Sequence, residues 1–276
     1  MEEPRRILYV SSEVFPYMPE SDISTVGRFL PQGVQELGRE IRSFMPRYGL
    51  INERRNQLHE VIRLSGMNIV IDGSDRPLVI KVSSISSARM QVYFIDNEDY
   101  FHRKAVDADA DGKFFADNDE RAIFFARGVL ETVKKLRWKP DIIHCQGWIS
   151  SLVPAFVKNV FNGDPIFSDT KVVVSFYNER LAEQFDPKFS EKLLQEGLPE
   201  EGVGLLAEPT GINLAKLAVR YSDGVICGVP DIDSEVASYA ESLKIPVCTY
   251  AKISQEDNGY IQKYNQFYDE ILGENE

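Results

Sequence analysis

Short β-branched runs and amphipathic segments take turns along this chain. Ile7 to Val10 reads as a strand that empties into a polar loop, Ser11 to Asp22. Behind the candidate cap Ser24, residues Val26, Phe29, Leu30, Val34 and Leu37 recur at helical spacing until Gly38 closes the pattern. After a second run, Ile41 to Met45, the character changes between Leu58 and Ile95. There Val61-Ile62, Ile69 to Ile71, Leu78 to Val82 and Val92 to Ile95 are separated by Gly, Asp, Pro and Ser turns, which predicts hairpins inserted in or added to a main sheet. A helix is predicted from Asp117, with Asp117 and Glu120 as a capping pair and Ala122, Ala126, Val129, Leu130 and Val133 on one face. It ends before Pro140.

Beyond Pro140 the pattern becomes regular. Runs at Asp141 to Cys145, Lys171 to Phe176, Gly224 to Cys227 and Ile245 to Cys248 alternate with helical segments near Ser150 to Asn159, Pro209 to Tyr221, Ile232 to Leu243 and Glu256 to Leu272. Such alternation predicts a parallel sheet covered by helices on both faces. The expected fold class is α/β: a single Rossmann-like, doubly wound, mostly parallel sheet over residues 1–276, with a hairpin insertion at 58–96 and a closing helix at 256–272. On that helix Tyr260, Tyr264, Phe267, Tyr268 and Ile271 share a core-packing face. The Gly/Pro/Glu-rich stretch Glu196 to Gly204 is expected to be a mobile loop. Ligands of open α/β sheets gather past the carboxyl ends of the strands, so the Ser11 to Asp22 loop is the first candidate site.

Composition narrows the partners. The 43 acidic residues outnumber the 31 basic ones, for a net charge of -12, and such a surface repels polyanions. Nucleic acid and membrane are therefore not expected partners. Cys145, Cys227 and Cys248 sit in or beside apolar runs without CxxC or Cys/His spacing, which reads as buried free thiols in a reducing, cytoplasmic compartment and leaves structural zinc unsupported. No secretory h-region is present, and no apolar run approaches the roughly 18 residues of a membrane span. The chain also lacks Gly-x-Gly-x-x-Gly, a P-loop, Gly-x-Ser-x-Gly and His-Glu-x-x-His, so no cofactor is expected. Asp107-x-Asp109-x-Asp111-Gly112 reproduces the first half of a calcium loop, yet Asn118 stands where the twelfth-position glutamate is needed. A solvated loop is the expectation, with Asp107, Asp109 and Asp111 as the alternative metal ligands.

Several blocks in fixed order carry a resemblance. Ser12-Glu13-Val14-Phe15-Pro16, Val26 to Pro31, Phe44 to Gly49, Asp117 to Arg121, Trp138 to His144 with Trp148 and Leu152 to Ala155, and Lys216 to Cys227 together resemble the bacterial glycogen and plant starch synthases. The similarity covers residues 5 to about 230. It implies the GT-B architecture, in which two Rossmann-like domains enclose a cleft where glucose passes from ADP-glucose to the end of an α-1,4-glucan. This chain corresponds to the first of those domains, and the resemblance implies that its closing helix lies in the groove crossed by the last helix of longer relatives.

At three places the residues depart from the family pattern. The Lys-x-Gly-Gly-Leu loop becomes Pro19-Glu20-Ser21-Asp22-Ile23, His-x-His-Asp-Trp becomes His144-Cys145-Gln146-Gly147-Trp148, and Val-His-Asn becomes Phe176-Tyr177-Asn178. A carboxylate repels a diphosphate and a proline has no N–H to offer it. The candidate cleft residues are Glu13, Ser21, Asp22, His144, Gln146, Trp148, Tyr177 and Asn178. Five of them have a plainer alternative: His144 a satisfied core histidine, Trp148 an indole capping the core rather than stacking on a pyranose, Tyr177 and Asn178 loop capping, Glu13 a turn residue. Catalytic residues are not assigned. The resemblance implies α-glucan or ADP-glucose as ligands, and the departures favour a glucan-binding or regulatory module that is not catalytic alone. The alternatives are a transferase completed by a glycosyltransferase partner or a homo-oligomer, and a protein-interaction scaffold without carbohydrate.

Overall fold

The computed structural model describes residues 3–254 and 258–274. Strand β1 (Arg6–Ser11) leads through the polar loop into helix α1 (Asp22–Glu36) and strand β2 (Glu40–Pro46). Then come β3 (His59–Glu60), β4 (Met67–Ile71), β5 (Ser74–Ile85), β6 (Met90–Asp96), a single helical turn α2 (Glu98–Phe101) and the long α3 (Asn118–Leu136). The second half runs β7 (Ile142–Gln146), α4 (Val153–Ala155), β8 (Lys171–Phe176), α5 (Phe189–Gln195), α6 (Glu200–Val203), α7 (Gly211–Arg220), β9 (Gly224–Cys227), α8 (Ser234–Ser242), β10 (Val247–Cys248) and α9 (Gly259–Leu272).

The strands join in the order β10-β9-β8-β7-β1-β2-β6-β5-β3, with β4 paired to β5. From β10 to β6 every pairing is parallel, while β5 runs antiparallel to β6, β3 and β4. The architecture is thus the mostly parallel α/β sheet that the alternating pattern predicts. Within 58–96, β6 is a parallel neighbour of β2, so the hairpins extend the main sheet at one edge. Val61-Ile62 forms a turn after β3, and Ile62 is 83% exposed.

Period-two alternation sends successive strand residues to opposite faces. Leu8, Val10, Ile143, Cys145, Val172 and Val174 pack under α3, α4 and α7, whereas Ile7, Tyr9, Ile142, Val173 and Ile226 pack under α1 and α9. Helix α9 buries Tyr260, Ile261, Tyr264, Phe267 and Tyr268, each aromatic contributing on the order of 2 kcal/mol by area removed from water. It docks closely on α1 because Gly33 carries no side chain: a Cβ there would stand 2.7 Å from Ile261. Residues 256 and 257 of the expected closing helix lie outside the described residues.

Several local expectations are corrected. The α1 cap is Ser21, with Ser24 at the third helical position; Ser21 Oγ accepts from the Ser24 N–H and Ser24 Oγ accepts from the Ser21 N–H, a reciprocal capping box. Asp117 precedes α3 but makes no capping bond, because Arg103 draws its carboxylate away, and Glu120 accepts from the Tyr100 hydroxyl and Lys192 instead. The segment Ser150 to Asn159 is not one α-helix: a 3-10 turn (Trp148–Ser150), α4 and a π-helical turn (Phe156–Val160) share it. Glu196 to Gly204 is a packed connection, since Leu198 and Val203 are buried and α6 forms within it. Its turn-rich composition hides two core side chains.

Candidate functional site

The carboxyl ends of β1, β7 and β8 meet beneath the β1–α1 loop. The Ser12 N–H donates to the Gln146 carbonyl at 2.9 Å, and Ser11 Oγ donates to the Glu13 carbonyl at 2.8 Å. Gly147 follows β7 with φ 86 and ψ 156, a conformation essentially restricted to glycine. A Cβ at that position would stand 2.0 Å from Ser12 Oγ and 2.9 Å from Glu179 Oε1. Here the chain is drawn so tight that only a bare backbone passes.

Beside Gly147 lies a cleft of about 370 Å³ lined by Ser12, Glu13, Val106, Asp107, Trp148, Glu179 and Arg180. Glu179 accepts the Trp148 backbone N–H through Oε1. Asp107, 4% exposed, accepts from Trp148 Nε1 at 2.9 Å and from Arg180 Nε and Nη2 at 2.9 and 2.7 Å. Three carboxylates thus face one guanidinium, already engaged in a bidentate pair. Burial, with the neighbouring charges of Glu13 and Asp107, pushes the Glu179 carboxyl up to about 7. Burial likewise raises Glu13, against a hydrogen bond from Ser21 Oγ at 2.8 Å that lowers it.

The sequence candidates fall in different places. Glu13 and Trp148 line the cleft, and Ser21 joins it through its bond to Glu13. Asp22 is exposed in the first turn of α1, beside the exposed Pro19 and Glu20. Trp148 is 7% exposed, with its ring packed against Phe114 and Phe185, so the indole is committed to the core. Gln146 is fully buried near Ser11, with its Nε2 lacking a partner. His144 is sealed on the α9 side of the sheet, Nδ1 against the Tyr268 hydroxyl and Nε2 against Ser175 Oγ. The Tyr177 hydroxyl is buried without a partner, and Tyr264 and Tyr260 of α9 raise its pKa further beyond what burial does. Asn178, at φ 57, donates to the Asp231 carbonyl and accepts the Asp233 N–H, tying two loops together.

The aspartates of the supposed calcium loop diverge. Asp107 turns inward to Arg180 and Trp148, while Asp109 Oδ1 accepts from the Asp111 and Lys113 N–H groups of a tight hairpin turn. Among the described residues no cluster of three or more His, Cys, Asp or Glu side chains is arranged to hold a metal ion. No described helix is long and apolar enough to cross a membrane. Ser12, Glu179 and Arg180 were not among the sequence candidates. Their signal was position: Ser12 directly follows a strand, and Glu179-Arg180 directly follow the Tyr177-Asn178 block.

Comparison with known proteins gives this geometry a lineage. A family model described as the starch synthase catalytic domain matches residues 6–244. A glycogen synthase of Chlorobaculum parvum is 36% identical over 238 residues, 86% of this chain and 48% of the relative. Another from Chlorobium phaeobacteroides is 38% identical over 220 residues, covering 79% and 44%. Among solved structures, the catalytic domain of starch synthase IV from Arabidopsis thaliana, bound to ADP and acarbose, superposes with a TM-score of 0.67 at 17% identity, over 89% of this chain and 52% of that one. That likeness is one of fold, and it places the sheet as a lobe of the GT-B type. The chain spans about half the length of the curated relatives it matches. With a family model covering most of its length and relatives at over a third identity, this chain belongs to the starch and glycogen synthase family.

Proposed function

We propose that this lobe, residues 1–276 acting as one domain, binds the hydroxyls of an α-1,4-glucan as a binding or regulatory module and does not by itself transfer glucose from ADP-glucose. One observation carries the reading: the cleft presents Glu13, Asp107 and Glu179 around a guanidinium already paired to Asp107. Carboxylates accept hydrogen bonds from sugar hydroxyls, whereas they repel a diphosphate. At the start of α1 the Ser24 N–H is taken by the capping box and Asp22 and Glu20 stand exposed, so the helix terminus offers an anion little. Three buried free thiols support a reducing compartment such as the cytoplasm.

A second reading rests on Glu179. A carboxyl near 7 lies where acid–base catalysts operate, which favours a transferase completed by a glycosyltransferase partner or by a second copy of the chain.

The test is affinity electrophoresis in gels containing glycogen or maltooligosaccharide, alongside incorporation of labelled glucose from ADP-glucose. Retardation without incorporation is the expected result. Incorporation at an ordinary enzymatic rate by the chain alone overturns the proposal. Migration unaffected by glucan points to a protein-interaction scaffold, and incorporation that appears only with a co-purifying partner supports the second reading.

A further inference from the structure

The geometry points to Glu179, in the loop after β8, as the hydroxyl-accepting, affinity-determining residue of the cleft. The inference rests on the glucan-binding reading and assigns its central contact. Gly147 stands immediately before Trp148 and carries no side chain. The space a side chain would enter there is occupied, because a Cβ on Gly147 would fall 2.9 Å from Glu179 Oε1. The Glu179 carboxylate therefore takes the space beside Trp148 that a side chain at position 147 would need.

Glu179 is held for this task. Its Oε1 accepts the Trp148 N–H, which anchors that oxygen, and the hydrogen bonds among the described residues leave Oε2 toward the cleft. A separate observation marks the spot as a ligand site. Ser12 is 3% exposed, lines the same cleft, and its Oγ has no hydrogen-bond partner. Leaving a buried hydroxyl unpaired costs roughly 1–3 kcal/mol, and a ligand with hydroxyl groups removes that cost. One fixed acceptor beside one hydroxyl that both donates and accepts matches the demands of a vicinal diol.

The charges around Glu179 decide how such binding responds to pH. Glu13 faces it from the β1–α1 loop, Asp107 from the segment before α3, and Arg180 from its own loop, while the turn after β7 contributes the neutral Gly147 and Trp148. The phenols of Tyr177 and Tyr48 are also within electrostatic reach and remain protonated. Because the carboxyl titrates near 7, it changes from a weaker neutral partner to a stronger charged acceptor as pH rises through that value.

Maltooligosaccharide retention is measured for the wild type and Glu179→Gln from about pH 5.5 to about 8.5, each with a thermal melt to verify folding. The glutamine keeps the shape and still accepts the Trp148 N–H. Wild-type affinity is expected to rise with pH, and Glu179→Gln to bind about tenfold more weakly at the alkaline end with a flat profile. Equal affinity of the two proteins, or a wild-type profile without pH dependence, overturns the assignment while glucan binding itself stands. Absence of any wild-type retention overturns both.

Discussion

The hydroxyl of Tyr268 lies 2.6 Å from Nδ1 of His144, joining the last helix to the centre of the sheet. Ser175 Oγ sits 2.6 Å from the other ring nitrogen, so the imidazole is satisfied on both sides by neutral partners. Burial drives its pKa down to about 3. The imidazole in the middle of β7 is a fastener between that strand and α9.

Tyr268→Phe should therefore destabilise the fold by about 1–3 kcal/mol, since one buried ring nitrogen loses its partner. The pH dependence has a definite sign. A histidine whose folded pKa lies below its unfolded value of 6.5 binds its proton in the unfolded chain first, so its contribution is fully present above 6.5 and is lost as pH falls toward about 3. Urea denaturation at several pH values checks both statements. An unchanged midpoint in Tyr268→Phe would show that the hydroxyl contributes nothing.

Gly147→Ala is expected to be among the most damaging single-methyl changes in the protein. The new Cβ meets Ser12 Oγ at 2.0 Å while the backbone sits in a region that L-residues avoid, which together cost about 3 kcal/mol or more. A thermal melt and soluble yield read the effect, and a variant as stable as the parent would mean that this turn relaxes freely.

Asp107 is predicted to act as a structural anchor for the cleft wall. Asp107→Ala leaves the Trp148 indole N–H without its acceptor and Arg180 with only its longer pair to Glu183, and should cost about 1–3 kcal/mol, with a change in tryptophan fluorescence. Millimolar calcium should leave the wild-type melting temperature unchanged. A rise of several degrees on adding calcium would reinstate Asp107, Asp109 and Asp111 as a cation site.

Much of the fold is local in origin, and it was legible for that reason. The β-branched runs at Ile7, Ile142, Val172 and Val225 and the helical spacing of Val26, Leu30 and Val34 depend on periodicities that each segment carries within itself. The aromatic face of α9 was equally clear, since Tyr260, Tyr264, Phe267 and Tyr268 repeat at intervals of three and four. Local pattern and structure part where a side chain finds a better partner elsewhere in the chain. Asp117 has the setting of a cap but is held by Arg103, and Glu196 to Gly204 has the composition of an open loop but sends Leu198 and Val203 into the core.

By itself the sequence determined the alternation of strands and helices, the two apolar faces of the sheet, and the acidic character of the loops at its carboxyl edge. Tertiary structure alone decided which of those acids share a cleft. Glu13, Asp107 and Glu179 belong to three segments with no common period; parallel pairing of β1, β7 and β8 brings the loops of Glu13 and Glu179 together, and bonds to Trp148 and Arg180 hold Asp107 beside them. The same assembly buried His144 and left Glu179 at the cleft, because exposure is set by what packs above a strand end and not by the strand's own residues.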